Sequence, residues 1–134
     1  MKKYGAALGA RLKKGVVIQL VGDIGAGKTT LVKGIAVGMG VDEPVQSPSF
    51  TISRVYDATD GLRLAHYDFY RLTEPGIMAN ELREDIEDPG TVTLIEWADI
   101  VEGVLPESHA TISITSPSET TRELTVDDPK ALLL

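Results

Sequence analysis

The segment Gly22-Asp23-Ile24-Gly25-Ala26-Gly27-Lys28-Thr29 places glycines, a lysine and a hydroxyl at the spacing that cradles the phosphates of a nucleoside triphosphate. Its glycines let backbone N–H groups close around phosphate oxygens without Cβ clashes. Lys28 is then placed to reach the β- and γ-phosphates, and Thr29, followed by Thr30, to offer a hydroxyl to Mg²⁺. Hydrolysis asks for more: a group that holds the metal or its waters, and one that orients the attacking water. Glu96, at the end of the apolar run Thr91-Val92-Thr93-Leu94-Ile95, is the leading candidate, ahead of its alternative reading as a capped strand end or a member of an ion pair. In His66-Tyr67-Asp68-Phe69-Tyr70-Arg71-Leu72, alternation puts His66, Asp68 and Tyr70 on one strand face and Tyr67 and Phe69 on the other. Asp68 could meet the metal or its waters and His66 could fix the carboxylate or sense the phosphate, although an ordinary polar strand face has the same pattern. Trp97, the only tryptophan, reads equally as a core aromatic or as a wall beside the nucleotide. The hydroxyls of Ser47-Pro48-Ser49-Phe50-Thr51 suit either a phosphate-sensing segment or a plain Ser-Pro turn.

These groups need a frame. Val16 to Val21 is a nearly continuous apolar run, as expected of a strand buried on both faces. Thr29 to Met39 spaces Leu31, Val32, Ile35 and Met39 as a helix does, and Gly40 is placed to end it. Strand, glycine loop and helix thus follow one another in the order that phosphate binding requires. The spacing of Tyr4, Ala7, Leu8, Arg11 and Leu12 predicts an amphipathic helix over 4–12. Residues 41–48, with two prolines, read as a connection. Phe50 to Tyr56 and Leu62 to Phe69 read as strands joined at Thr59-Asp60-Gly61 in an antiparallel hairpin. Residues 73–88 are expected to form a loop and one short helix, 91–96 a strand, and Ala110–Thr115 and Arg122–Val126 two more. No repeat or domain boundary is visible. The expected architecture is a single α/β domain over 1–134, a mixed sheet with the glycine loop at the end of its central strand.

Composition narrows the classes. The 134 residues are enough for one core, and 43% hydrophobic with 25% charged residues is ordinary for a globular protein. No apolar run approaches a membrane span, and no hydrophobic stretch follows the basic start as a secretory signal would require. The absence of cysteine excludes disulfides and thiolate metal sites and fits a cytoplasmic location. A net charge of −7 argues against a general basic surface for nucleic acid, although Lys2, Lys3, Arg11, Lys13 and Lys14 cluster at one end. That cluster reads more readily as a solvated helix face than as a docking patch.

Four blocks stand in fixed order: GDIGAGKTTLVKG, SPSFT, HYDFYRL and LIEW. Together, and with Leu8-Gly9 before them and Leu105-Pro106 after, they closely resemble the TsaE family of small bacterial ATPases, over roughly residues 7–124. The resemblance implies a P-loop NTPase-like three-layer sandwich and a Mg²⁺-dependent ATPase needed to make N6-threonylcarbamoyladenosine on tRNA. It implies ATP and Mg²⁺ as ligands, with two further proteins, TsaB- and TsaD-like, forming the threonylcarbamoyl-transferase that the ATPase serves and that makes most tRNA contact. Carried over by position, Gly22, Asp23, Ile24, Gly25, Ala26, Gly27, Lys28, Thr29 and Thr30 would bind phosphates, and Thr29 and Glu96 would serve Mg²⁺. Lys28, Glu96 and Asp68 would carry catalysis, residues 47–51 would act as a switch, and Arg122 would lie near the adenine. Ser49 stands where the family's block has threonine, keeping the hydroxyl. The chain starts seven residues before Leu8-Gly9, where relatives usually carry a longer segment. The competing classes are a small-metabolite or nucleotide kinase on the same fold, which would need an arginine-bearing lid, and a nucleotide-binding module without turnover.

Overall fold

Helix α1 (Lys2–Arg11) leads into strand β1 (Val17–Val21) and helix α2 (Lys28–Met39). Strands β2 (Ser53–Asp57) and β3 (Arg63–Asp68), helix α3 (Met78–Glu87), and strands β4 (Thr91–Glu96), β5 (Ala110–Thr115) and β6 (Glu123–Asp127) follow. These elements come from a computed structural model that describes residues 1–22, 27–45, 53–70, 74, 76–129 and 131–133. The expected strands and helices are all present within a residue or a few of their predicted bounds. The stretch 50–52 of the predicted second strand lies outside the described residues.

The six strands form one sheet in the order β2-β3-β4-β1-β5-β6. The inner four run parallel, while β2 pairs antiparallel with β3 and β6 with β5, so both edges are hairpins. This is the expected α/β sandwich with a mixed sheet. All six residues of β4 are buried, because neighbours flank it on both sides and helices cover both faces.

Two cores result. On one face, Ile18, Leu20, Leu64, Val92, Leu94 and Ile112 pack against Leu8 of α1 and Leu31, Val32 and Ile35 of α2. On the other, Val17, Ala65, Tyr67, Phe69 and Ile95 pack against Leu82 of α3 and Val101. Tyr67 also donates its hydroxyl hydrogen to Asp85, tying α3 to the sheet. Burial, then that bond, then the charges of Asp85, Glu81 and Glu84, push the phenol well above its usual range.

Helices α1 and α2 meet at backbone distance. A Cβ built on Gly38 would lie 2.1 Å from the Ala6 carbonyl oxygen, and one on Gly34 would lie 2.4 Å from that of Lys2. Only glycine permits that approach, since no real Cβ sits so close to backbone oxygen. Helix α2 ends at Gly40, in the left-handed conformation, as predicted. One element was not foreseen: a 3₁₀ segment, Ala98–Val104, directly after β4.

Candidate functional site

Strands β1, β3, β4 and β5 are parallel, so their C-terminal ends open on one side of the sheet, where ligands of open α/β sheets bind. β1 runs out there into Gly22, and Gly27 directly precedes α2. Asp23, Ile24, Gly25 and Ala26 of the glycine loop lie outside the described residues, as do residues 47–51, Arg71 and Leu72.

Lys28, the first residue of α2, is turned inward and only 7% exposed. Its Nζ donates to the Gly22 carbonyl at 2.6 Å and lies 3.9 Å from Glu96 Oε1. The ammonium also stands 4.2 Å from the centroid of the Trp97 ring, a cation–π distance. Glu96 is the last residue of β4 and 4% exposed; a carboxylate so buried requires partners. Lys28 is one, and His66 of β3 is the other, its Nε2 at 2.6 Å from Glu96 Oε2. An ionised Glu96 can only accept, so in that pair His66 Nε2 is the donor. His66 Nδ1 is buried and has no hydrogen-bond partner among the described residues.

Asp68 ends β3 directly across from Glu96 in the parallel register. Burial pushes its carboxyl above the usual carboxylate range and the charge of Glu96 adds to this, against the 3.0 Å bond that Oδ1 accepts from the Tyr70 N–H. Strand pairing therefore sets two carboxylates side by side, one facing the Lys28 ammonium. Thr29 and Thr30 follow on α2 and are exposed.

Trp97 adopts a left-handed backbone conformation (φ 56°, ψ 52°), which costs a bulky residue about 1–2 kcal/mol. That turn ends β4 and starts the 3₁₀ segment, and it lays the indole beside Lys28 and against Tyr70, the ring centroids 4.8 Å apart. Gln19, Leu20, Val21, Gly22, Lys28, Trp97, Ala98 and Asp99 line a cavity of about 180 Å³. Trp97 is thus a wall of this cavity as well as a partner of the second core.

Of the candidate residues, the structure brings together Gly22, Lys28, Glu96 and Asp68, with Gly27, Thr29 and Thr30 at the start of α2. Arg122 is not joined to them. It precedes β6, is exposed, and donates to Thr121 O at 2.9 Å within its own loop. Gln19 and Asp99 line the cavity without having been singled out. Gln19, a polar residue inside an apolar strand, was the one visible signal.

The strand, glycine loop and inward lysine at the open end of a mixed sheet define a phosphate-loop α/β protein. Residues 1–124 match the family described as "Threonylcarbamoyl adenosine biosynthesis protein TsaE". A Treponema pallidum relative described as "tRNA threonylcarbamoyladenosine biosynthesis protein TsaE" is 38% identical over 132 residues, covering 92% of this chain and 90% of the relative. One of the same description from Bacillus subtilis is 42% identical over 114 residues, 84% of this chain and 70% of its own. A crystal structure of Bacillus subtilis YdiB superposes with a TM-score of 0.74 at 39% identity, covering 95% of this chain and 78% of that one. The chain belongs to the TsaE family.

Proposed function

We propose that this chain is a Mg²⁺-dependent ATPase serving as the accessory subunit of N6-threonylcarbamoyladenosine synthesis on tRNA, acting as one domain over 1–134. The observation that carries the reading is the buried Lys28–Glu96 pair, with Asp68 alongside, at the strand ends beyond the glycine loop. The names of its relatives supply the pathway.

In this reading Lys28 and the backbone amides of the loop hold the phosphates of ATP. The Thr29 hydroxyl and the Glu96 carboxylate are the groups that would hold Mg²⁺ or its waters. The donor set suits that ion: all are hard oxygens, and Glu96 already faces one cation at 3.9 Å. Bound there, Mg²⁺ would neutralise charge on the transferring phosphoryl group. Glu96, steadied by His66, or a group supplied by a partner protein orients the attacking water, and Asp68 supplies a second carboxylate beside Glu96. The Trp97 ring closes one side of the cavity against solvent.

The proposed partners are a two-protein transferase with TsaB- and TsaD-like subunits, and the proposed location is the cytoplasm. No described helix is long and apolar enough to cross a membrane. The test is ATP hydrolysis by the purified chain, alone and with the candidate threonylcarbamoyl-transfer proteins, with and without tRNA. Low activity that rises with those proteins is expected. Hydrolysis unchanged by them, together with phosphate transfer to a small metabolite, would overturn the reading.

A further inference from the structure

Charge is sharply divided along the chain. Residues 1–41 carry seven Lys and Arg against one acid, Asp23, whereas the remainder carries six against 19. The fold turns this division into a surface, because α1 and α2 lie on the same face of the sheet. Lys2, Lys3, Arg11, Lys13, Lys14 and Lys33 are all exposed there, and among the described residues none makes an ion pair or a side-chain hydrogen bond. Lys3, Ala7 and Arg11 recur four apart on one outward stripe of α1, and Lys13 and Lys14 extend it past the helix end.

Two features make this more than solvated surface. First, Lys2 and Lys3 stand in the first turn of α1 with no acid there, the end at which the helix dipole disfavours cations. Second, the cations crowd together with no acid between them, in a chain whose net charge is −7. Both arrangements cost stability locally, and broken local rules without a structural gain mark functional surface.

We propose that the α1 stripe, with Lys2, Lys13 and Lys14 beside it, docks the phosphate backbone of a structured RNA. The surface favours RNA over an acidic protein because it lacks an anchor. Between the cations lie only Ala7 and Ala10, and the one large apolar side chain exposed on α1 or α2 is Val37. Protein interfaces draw their affinity from buried aromatic and aliphatic anchors, whereas phosphate contacts need only positive charge and close approach. The contact is sequence-independent and orients the molecule, with its acidic side turned away from the RNA. The identity of that RNA as tRNA rests on the pathway proposed above; the docking chemistry does not.

The experiment is fluorescence anisotropy of a labelled tRNA transcript titrated with the full chain at several salt concentrations. Five phosphate contacts predict a slope of log K against log salt of about −4 to −5. The triple variant Lys3→Gln, Arg11→Gln, Lys14→Gln should bind at least about tenfold more weakly at low salt and lose roughly 2–3 from the slope. Arg83→Gln, on α3, should change neither. ATP binding by the triple variant, measured separately, should match the parent, which keeps failure of the nucleotide site distinct from failure of this surface. No tRNA binding by the parent chain, or equal binding and slope in the triple variant, would overturn the proposal. So would loss of binding to the transferase proteins alone, which would make the occupant an acidic protein.

Discussion

Deleting the Lys28 ammonium removes the cation that faces both the Gly22 carbonyl and the Glu96 carboxylate. Lys28→Ala should abolish measurable ATP binding in a calorimetric titration, whereas Glu96→Ala should leave binding within a few-fold and remove hydrolysis. Equal loss of binding in both would refute the division of labour between them. Asp68 offers a different test, because its ionised form is disfavoured by burial and by Glu96. An acid whose folded-state pKa lies above its unfolded one costs the fold nothing when both are protonated and costs most at neutral pH. Asp68→Asn should therefore raise the melting temperature at pH 7 while lowering hydrolysis, and the gain should vanish as pH falls towards the ordinary value of 3.8. Thermal melts across that range decide it. Lys28, Glu96 and Asp68 could be singled out from the sequence because motif spacing and strand ends are local. That His66 could fix a carboxylate was legible too, but that the carboxylate is Glu96 was not, since this depends on the register of β3 against β4 across 30 residues. Nor does anything local announce that Trp97 takes a left-handed turn that puts its ring under Lys28.

At the scale of elements, the tight join between α1 and α2 carries the clearest prediction. Gly38→Ala would drive a methyl to 2.1 Å from the Ala6 carbonyl, so one helix must move. Overpacking of this kind typically costs about 1–3 kcal/mol, read as a lower denaturation midpoint. Because α2 begins with Lys28, the same change should also weaken ATP binding. Gly103→Ala, with no atom within 4 Å of its added methyl, is the control and should leave ATP binding unchanged. Most elements were legible: β1 and β4 as apolar runs, α2 by its spacing and Gly40, the β2–β3 hairpin by its turn. The 3₁₀ segment Ala98–Val104 was not, because seven residues of weak pattern carry no helical period of their own. Its Ala98 and Val101 are buried by the second core, which a sequence scan does not see.

Over the whole molecule, the separation of a cationic α1–α2 face from an acidic remainder stores repulsion within each region. Raising salt from about 10 to 200 mM shortens the screening length from roughly 30 Å to under 10 Å. The melting temperature without ligand should rise over that range, and a fall would show that attraction between the two faces dominates. The layered fold and the glycine loop at its central strand were readable, but the division of charge between faces emerged only once α1 was placed on α2. The strand order has a consequence in time. Central β1 leaves the ribosome early, yet Val17 meets Thr93 and Ile18 meets Ala110. At about 5–20 residues per second, that apolar strand waits roughly 5–20 s for its second neighbour. Such distant pairings also predict folding in milliseconds to seconds rather than microseconds. The nascent chain therefore passes through a long interval in which an apolar strand destined for the middle of the sheet is an exposed liability, and the proposed phosphate site cannot exist until β4, with Glu96 at its end, has been made.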